Sequence, residues 1–525
     1  MPEAIFSIAP GRGHAYTGGT VSADAAKPET TALVQRSAFN FVGLAAANTL
    51  QFALVLMIGR ALDQRAAGIF FEGFAAVRLL SVLAVLGLDV TAVRYVAVHR
   101  ARGEFGHARG AVALSALLAG GASVVIAAVV FGVAPQVATL FGADDLAFVL
   151  RVMVLSLPAV VLQMVLIGAT RGTGRMKAYV LVDQITDGVV RVVLVAGALA
   201  LGTGLNGTAV AFTVASYLTL AAAVLAARGV TGSYRQARAV DSRDLIRFSA
   251  NQWGASLAGV GLLWADTLLL GLWRPPADVA VYSIATRTVL FGMMFILPIG
   301  IAFQPQIGRM YALSDRAGLA RMYAFATKWS TIAGCPPLLF LALFATPIVT
   351  LLYAPSYVRG AWPMALLAIG QTVNAATGPC GHVVTMIGRS DLVLKNSVAA
   401  LVLNVVLNLV LIPPYGMVGA GLAWGVSIVA WNVYRLWQVW DVLHMQPFGR
   451  WAQPVSVALM VFVVVAGLLR VALDGAPAAL AILGGAAGAT LAYAAALVMT
   501  SAFDDEDGFL PGPLARLARS SRATS

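Results

Sequence analysis

The chain reads as an all-α polytopic membrane protein of about fourteen transmembrane helices. Three observations predict this. Of its 525 residues, 60% are hydrophobic and 11% charged, and the mean hydropathy is +0.85, more apolar than a water-soluble core uses. Apolar runs of ~20 residues, the length that crosses a hydrocarbon layer ~30 Å thick, recur throughout. Lysine and arginine collect in alternate connections, as they do in chains oriented by positive charge on the cytoplasmic side.

In order, residues 1–35 mix Gly, Ala, Thr and Pro with few charges and read as a disordered cytoplasmic tail. Six spans follow at about 36–59, 68–92, 110–133, 147–169, 178–201 and 206–227, forming a first lobe, 36–227. Residues 228–246, RGVTGSYRQARAVDSRDLI, are polar and carry four arginines. They read either as an interfacial hinge between lobes or as a charged loop on anionic headgroups. Six more spans, at about 247–272, 279–303, 329–353, 362–387, 394–412 and 418–440, form a second lobe, 247–440. Spans at 453–472 and 477–500 occupy 441–500, and 501–525 is a second cytoplasmic tail. No gap is long enough for a folded soluble domain.

With the N-terminus inside, 26 of the 35 basic residues fall in cytoplasmic segments and five, Arg60, Arg65, Arg274, Arg359 and Arg470, outside. Arg78, Arg151, Arg191 and Arg287 lie within spans. The net charge of +12 is thereby explained as an insertion signature, and nucleic-acid binding is not implied. Cys335 and Cys380 both sit in apolar spans as small core residues. The five histidines, His14, His99, His107, His382 and His444, show no metal-ligand spacing, and no phosphate-binding Gly-rich loop ends in Gly-Lys-Ser/Thr. No metal, cofactor or nucleotide is expected.

The two lobes repeat. Gly59 in LMIGRALDQRAAG corresponds to Gly271 in LLLGLWRPPADVA, an offset of 212. GRMK at 174–177 matches GRSD at 388–391 (offset 214), and GLNGTAVA at 204 matches GMVGAGLA at 416 (offset 212). A unit of six helices inserts both copies the same way up, and such parallel repeats face each other across a cleft.

Residues 178–201, AYVLVDQITDGVVRVVLVAGALAL, are apolar enough to span yet carry Asp183, Asp187 and Arg191 four residues apart, stacked on one helical face. An ionised group at mid-bilayer costs at least ~2.5–3.5 kcal/mol. That stripe is therefore expected to face water, a partner charge or a polar substrate in a transporter cavity.

Three runs resemble bacterial polysaccharide transporters of the multidrug/oligosaccharidyl-lipid/polysaccharide (MOP) exporter superfamily, and together the resemblance covers about residues 36–500. GRALDQRAAGIFFEGFAAVRLLSVLAVLGLDVTAVRYVA is similar to their first two helices, and RFSANQWGASLAGVGLLWADTLLLGLWRPPADVAVYSIATR to their seventh and eighth. IGRSDLVLKNSVAALVLNVVLNLVLIPPYGMVGAGLAWGVSIV, with Asn396, Asn404 and Asn408, is similar to their eleventh and twelfth. The resemblance implies a bacterial inner-membrane flippase for a lipid-linked oligosaccharide, serving cell-surface polysaccharide synthesis. Its implied partners are membrane lipids and polymerase or export machinery.

A polyprenyl-diphosphate sugar needs cations for its phosphates, and arginine offers a fixed fork of donors. Arg78 and Arg287, on repeat-related helices, are expected to bind phosphate across the cleft, with Arg191 lining it; alternatively, Glu72 or Asp266 neutralises them locally. Asp183 and Asp187 are candidates for ion coupling or else form a satisfied network with Arg191 that lines the cavity, and Asp266 either gates the outer side or snorkels outward. Glu72, Asp89 and Arg151 are expected to be solvated at span ends. The three asparagines are expected to bond between helices. Pro298, Pro336, Pro337, Pro347, Pro363 and Pro379 are candidate kinks in the second lobe. A cation-coupled multidrug antiporter is the alternative of the same fold; a membrane glycosyltransferase or glycan polymerase is an alternative of another class.

Overall fold

A computed structural model describes residues 27–231, 237–296, 300, 303, 306–307, 310–311, 313–387 and 389–502. Among these the chain is helical, without strands. Residues 1–26, most of the C-terminal tail and Pro298 lie outside the described residues.

The first lobe comprises α1 (Lys27–Ala61), α2 (Gln64–Val85), α3 (Leu88–Ala101), α4 (Phe105–Leu140), α5 (Asp145–Val154), α6 (Leu157–Gly172), α7 (Met176–Tyr179), a π-helical stretch (Val180–Thr186), α8 (Asp187–Ala200) and α9 (Gly204–Thr231). The second comprises α10 (Ser242–Trp273), α11 (Pro276–Gly292), α12 (Arg316–Leu343), α13 (Ala345–Leu352), α14 (Ala361–Ala376), α15 (Cys380–Met386) and α16 (Ser390–Leu443). The terminal helices α17 (Ala452–Ala472) and α18 (Ala478–Met499) pair with each other and dock on α12 and α13.

Helix starts follow local chemistry. The side chain of Asp63 accepts from the Ala66 amide (2.7 Å), Asp241 from the Arg243 amide (2.9 Å) and Asp315 from the Gly318 amide (2.8 Å), each satisfying a first-turn N–H.

The fourteen expected spans are not reproduced helix for helix. Among the described residues, nine helices are long and apolar enough to cross a membrane, or ten if α12 and α13, bent by 79°, count as one. Several expected spans are instead broken. Leu86 (φ 54°) and Gly87 (φ 73°) part α2 from α3 inside the expected span 68–92, whereas Gly416 (φ 57°, ψ −133°) interrupts α16 where the expected spans 394–412 and 418–440 are already separate. The 79° bend falls at Phe344, between α12 and α13, rather than at Pro336 or Pro337, which stay inside α12. α1 starts at Lys27, inside the expected tail. The connection between lobes is also shorter than expected, since α9 reaches Thr231 and α10 begins at Ser242.

The end bearing the Lys/Arg-rich connections will be called the basic end. At the opposite end the lobes touch backbone to backbone. A Cβ on Gly68 would lie 1.7 Å from the Pro276 carbonyl oxygen, so only glycine lets α2 approach α11 this closely. Two further contacts obey the repeat: Gly59 meets the ring of Tyr353 in the other lobe (2.8 Å from its Cβ position), and Gly271 meets that of Phe141 (2.9 Å). Both members shift by the same offset, since 59 + 212 = 271 and 141 + 212 = 353. Arg60 locks this end by donating to the carbonyls of Leu351 (2.8 Å) and Leu352 (2.6 Å).

The packing differs between ends. One large apolar core joins the lobes, running through Phe70, Phe74, Trp264, Leu270 and Tyr282. Toward the basic end two separate cores lie apart. One, in the first lobe, includes Val96, Val112 and Ala227 and takes in Leu245 from the start of α10; the other, around Leu319, Tyr323 and Val383, belongs to the second lobe. The described contacts crossing between lobes near the basic end run through α10. Tyr95 of α3 hydrogen-bonds Asp244, and Trp253 donates to the Val82 carbonyl (3.0 Å). The lobes thus share one core at the closed end, whereas toward the basic end they keep separate cores bridged by α10.

Candidate functional site

A cavity of about 180 Å³ opens in the first lobe between α1, α2, α6 and α8. Its walls carry Arg78, Gln163, Asp183, Gln184, Asp187 and Arg191. The expected stripe therefore does line a cavity, although its helix is irregular. Asp183 sits in the π-helical stretch and Asp187 opens α8, so the i,i+4 geometry holds only from Asp187 onward. There Asp187 and Arg191 pair with contacts of 2.9 Å, and the Arg191 guanidinium lies 4.4 Å from the centroid of the Phe212 ring.

Arg78 lies over the Phe74 ring (5.1 Å), Phe74 meets Trp264 of the second lobe edge-on (5.1 Å), and Arg287, also of the second lobe, covers Trp264 (3.5 Å). The four side chains form one stack across the seam between lobes. Counted along the helices, Phe74 and Trp264 lie about 15 Å from the closed end, and Arg78 and Arg287 lie deeper toward the basic end by a few ångströms. Among the described residues no carboxylate stands within ion-pair distance of either arginine. Arg78 faces the cavity, whereas Arg287 is buried against Trp264 and does not line it.

Asp266 lies on the closed side of this aromatic layer. It is fully buried, accepts from the Tyr282 hydroxyl and takes a 2.7 Å bond from the Thr267 amide. It belongs to the packed seam rather than to an open cavity. Glu72 corrects the expectation of a solvated span-end residue: it is 1% exposed, both its carboxylate oxygens lack partners, and it abuts Gly271 of the other lobe. Of the asparagines, Asn396 exchanges amide hydrogen bonds with Gln438 (2.6 and 2.9 Å), joining the two segments of α16 across its Gly416 break. Asn404 and Asn408 instead bond each other one turn apart on a single helix.

Two features escaped the sequence. Arg435, counted among the cytoplasmic basic residues although it lies near the end of the expected span 418–440, stands over the Trp431 ring (3.5 Å) in a second cavity of about 290 Å³ with Ser330, Asn374, His382 and Asn432. Trp431, one turn before it, was the available signal. The other is a meeting of His99, Glu104 and His107, whose ligand atoms lie within 4.8 Å of one another. Spacing in the chain hid it, because a turn rather than a helix brings the three together.

Comparison with known proteins adds the following. A model of the family described as polysaccharide biosynthesis protein matches residues 33–311, and one described as MatE matches 255–410. The chain is 20% identical over 187 residues to the probable low-salt glycan biosynthesis flippase Agl15 of Haloferax volcanii, covering 36% of this chain and 40% of that protein. It is 23% identical over 236 residues to the uncharacterized membrane protein MJ1068 of Methanocaldococcus jannaschii, covering 43% and 46%. The matches thus span less than half the length of these relatives. Among solved structures, the fold resembles an inward-facing multidrug resistance MATE transporter of the MOP superfamily (TM-score 0.66, 17% identity, 76% of this chain and 94% of that one). It also resembles the lipid II flippase MurJ in an inward closed conformation (TM-score 0.66, 11% identity, 88% and 98%).

Proposed function

Because the chain belongs to the polysaccharide biosynthesis protein family and has the fold of MOP-superfamily transporters, we propose that it is a flippase for a lipid-linked oligosaccharide. It takes an anionic, sugar-bearing headgroup from the cytoplasmic leaflet and releases it on the other side by alternating access. The family, the relation to a glycan flippase and the multi-pass helical fold support this reading.

The observation that carries it is the arginine pair on the Phe74–Trp264 stack. Two guanidiniums deep in a spanning bundle, with no carboxylate in ion-pair contact among the described residues, offer donors to a ligand anion. Arg78 meets the diphosphate first from the cavity, and Arg287 engages it once Trp264 moves. At 180 Å³ the cavity suits a phosphate-sized group, so passage of the glycan requires the lobes to separate further at the basic end. Asp183 and the Asp187–Arg191 pair line the path, with Asp183 as the coupling carboxylate and Asp266 as part of the outer gate. With the basic end cytoplasmic, both termini are cytoplasmic, the membrane is the bacterial inner membrane, and polymerase or export machinery takes the product.

The test is reconstitution with a lipid-linked oligosaccharide. Arg78→Ala and Arg287→Ala are each expected to slow flipping by about tenfold or more, the size of effect that follows from losing one charge-assisted contact. Native rates in both variants would overturn the assignment.

The MatE match and the cavity carboxylates favour a second reading, a cation-coupled exporter. That reading requires export of an organic cation, abolished by Asp183→Asn and indifferent to Arg287→Ala.

A further inference from the structure

The turn between α3 and α4 holds groups that the proposed transport cycle does not use. His99 falls in the last turn of α3, Gly103 (φ 74°) reverses the chain, and Glu104 and His107 flank the start of α4. The backbone knits the turn: the Glu104 amide donates to the His99 carbonyl (2.8 Å) and the His107 amide to the Glu104 carbonyl (3.1 Å). As a result, the imidazoles of His99 and His107 stack with centroids 5.5 Å apart, and His99 Nδ1 lies 2.7 Å from Glu104 Oε2. One ligand atom from each residue lies within 4.8 Å of the other two.

We propose that His99, Glu104 and His107 form a binding site for a divalent transition-metal ion of the zinc, cobalt or nickel class. Two imidazoles and a carboxylate make an intermediate N/O donor set, suited to those ions rather than to magnesium or calcium. Around a tetrahedral ion with bonds of ~2.0–2.1 Å, ligand atoms stand about 3.3 Å apart. The His99–Glu104 contact must therefore open slightly and His107 close in, movements that side-chain torsions supply. Three protein ligands leave a fourth position for water. Arg100 and Arg102 on the same turn repel a dication and weaken the site.

Its place gives the ion a consequence. The Arg238 amide donates to the Gly106 carbonyl (2.9 Å), and a Cβ on Gly110 would lie 1.9 Å from the Arg238 carbonyl oxygen. The connection between lobes is thus seated on the first turns of α4, and an ion tying α3 to α4 braces that seat.

The test needs no substrate, so its failure is separate from any failure of the flippase reading. The full chain, purified in detergent and freed of any affinity tag, is titrated with Co²⁺ and then Zn²⁺. The expected result is one cobalt bound per chain, with visible absorption from a tetrahedral or five-coordinate site, displaced by zinc. His99→Ala and His107→Ala should each weaken binding by about tenfold or more, equivalent to at least ~1.4 kcal/mol. Glu104→Gln keeps the shape of the turn and should weaken it with an unchanged metal-free melting temperature, which covers the case of a misfolded histidine variant. Equal affinity in wild type and Glu104→Gln, or no saturable binding by the wild type, overturns the proposal.

Discussion

At the scale of single residues, the charges inside the bundle separate into two kinds. Asp187 and Arg191 satisfy each other, whereas no carboxylate among the described residues pairs with Arg78, Arg287 or Arg435. The two kinds should respond differently to truncation. Asp187→Ala leaves Arg191 buried and unpaired, and it should lower stability by ~2–3 kcal/mol, less than the ~3–5 kcal/mol of a pair broken in a dry core because the cavity is polar. Combining Asp187→Ala with Arg191→Leu should recover most of that loss, read as the melting temperature in detergent. Arg435→Ala breaks no ion pair; it should leave the melting temperature nearly unchanged and slow flipping about tenfold if the second cavity also meets the headgroup. That Asp183, Asp187 and Arg191 line a cavity was legible in the sequence, since charge within a spanning run is too costly to leave facing lipid. That Glu72 is buried was not. Its distance from the span end is ordinary, and burial comes from Gly271, some 200 residues away.

At the scale of elements, the spans were legible and the breaks inside them were not. Hydropathy averages over a window, so it passes across the left-handed pair Leu86–Gly87 without a signal, whereas the break at Gly416 falls where the spans 394–412 and 418–440 were already separated. The second-lobe prolines were visible, yet the sharpest bend lies at Phe344. There Phe344 stacks on Phe340 (4.3 Å) and Gly485 of α18 packs against its ring, so tertiary contact holds the bend. Close helix approach can be tested at one position. Gly68→Val would push a side chain into the Pro276 backbone and should cost about 1–3 kcal/mol as overpacking, lowering the melting temperature. A variant as stable as the wild type would mean that α2 and α11 do not meet this closely.

At the scale of the whole molecule, one core joins the lobes at the end opposite the basic one, while toward the basic end each lobe keeps a core of its own. Alternating access requires the reverse state, in which the Arg60 bonds to Leu351 and Leu352 and the paired glycine–ring contacts come apart. Arg60→Ala removes two bonds that exist only while that end is shut, so it should shift the population toward the outward-open state. With charge-assisted hydrogen bonds worth ~1.5–3 kcal/mol, the shift should be about tenfold or more. The measurement is labelling of a cysteine placed beside the seam by a membrane-impermeant thiol reagent; unchanged labelling would show that Arg60 is no latch.

The sequence alone determined that the chain spans a membrane many times, that its halves repeat at an offset of 212 and that charge is retained at depth. Hydropathy, charge bias and internal similarity are local sums or comparisons along one chain, and they need no knowledge of distance. Only the tertiary structure decided that Arg78 and Arg287 share one aromatic stack, that Arg435 lines a cavity, and that His99, Glu104 and His107 converge. Each of these depends on how helices turn about their axes and where breaks re-aim them, and that is set by packing between segments remote in sequence.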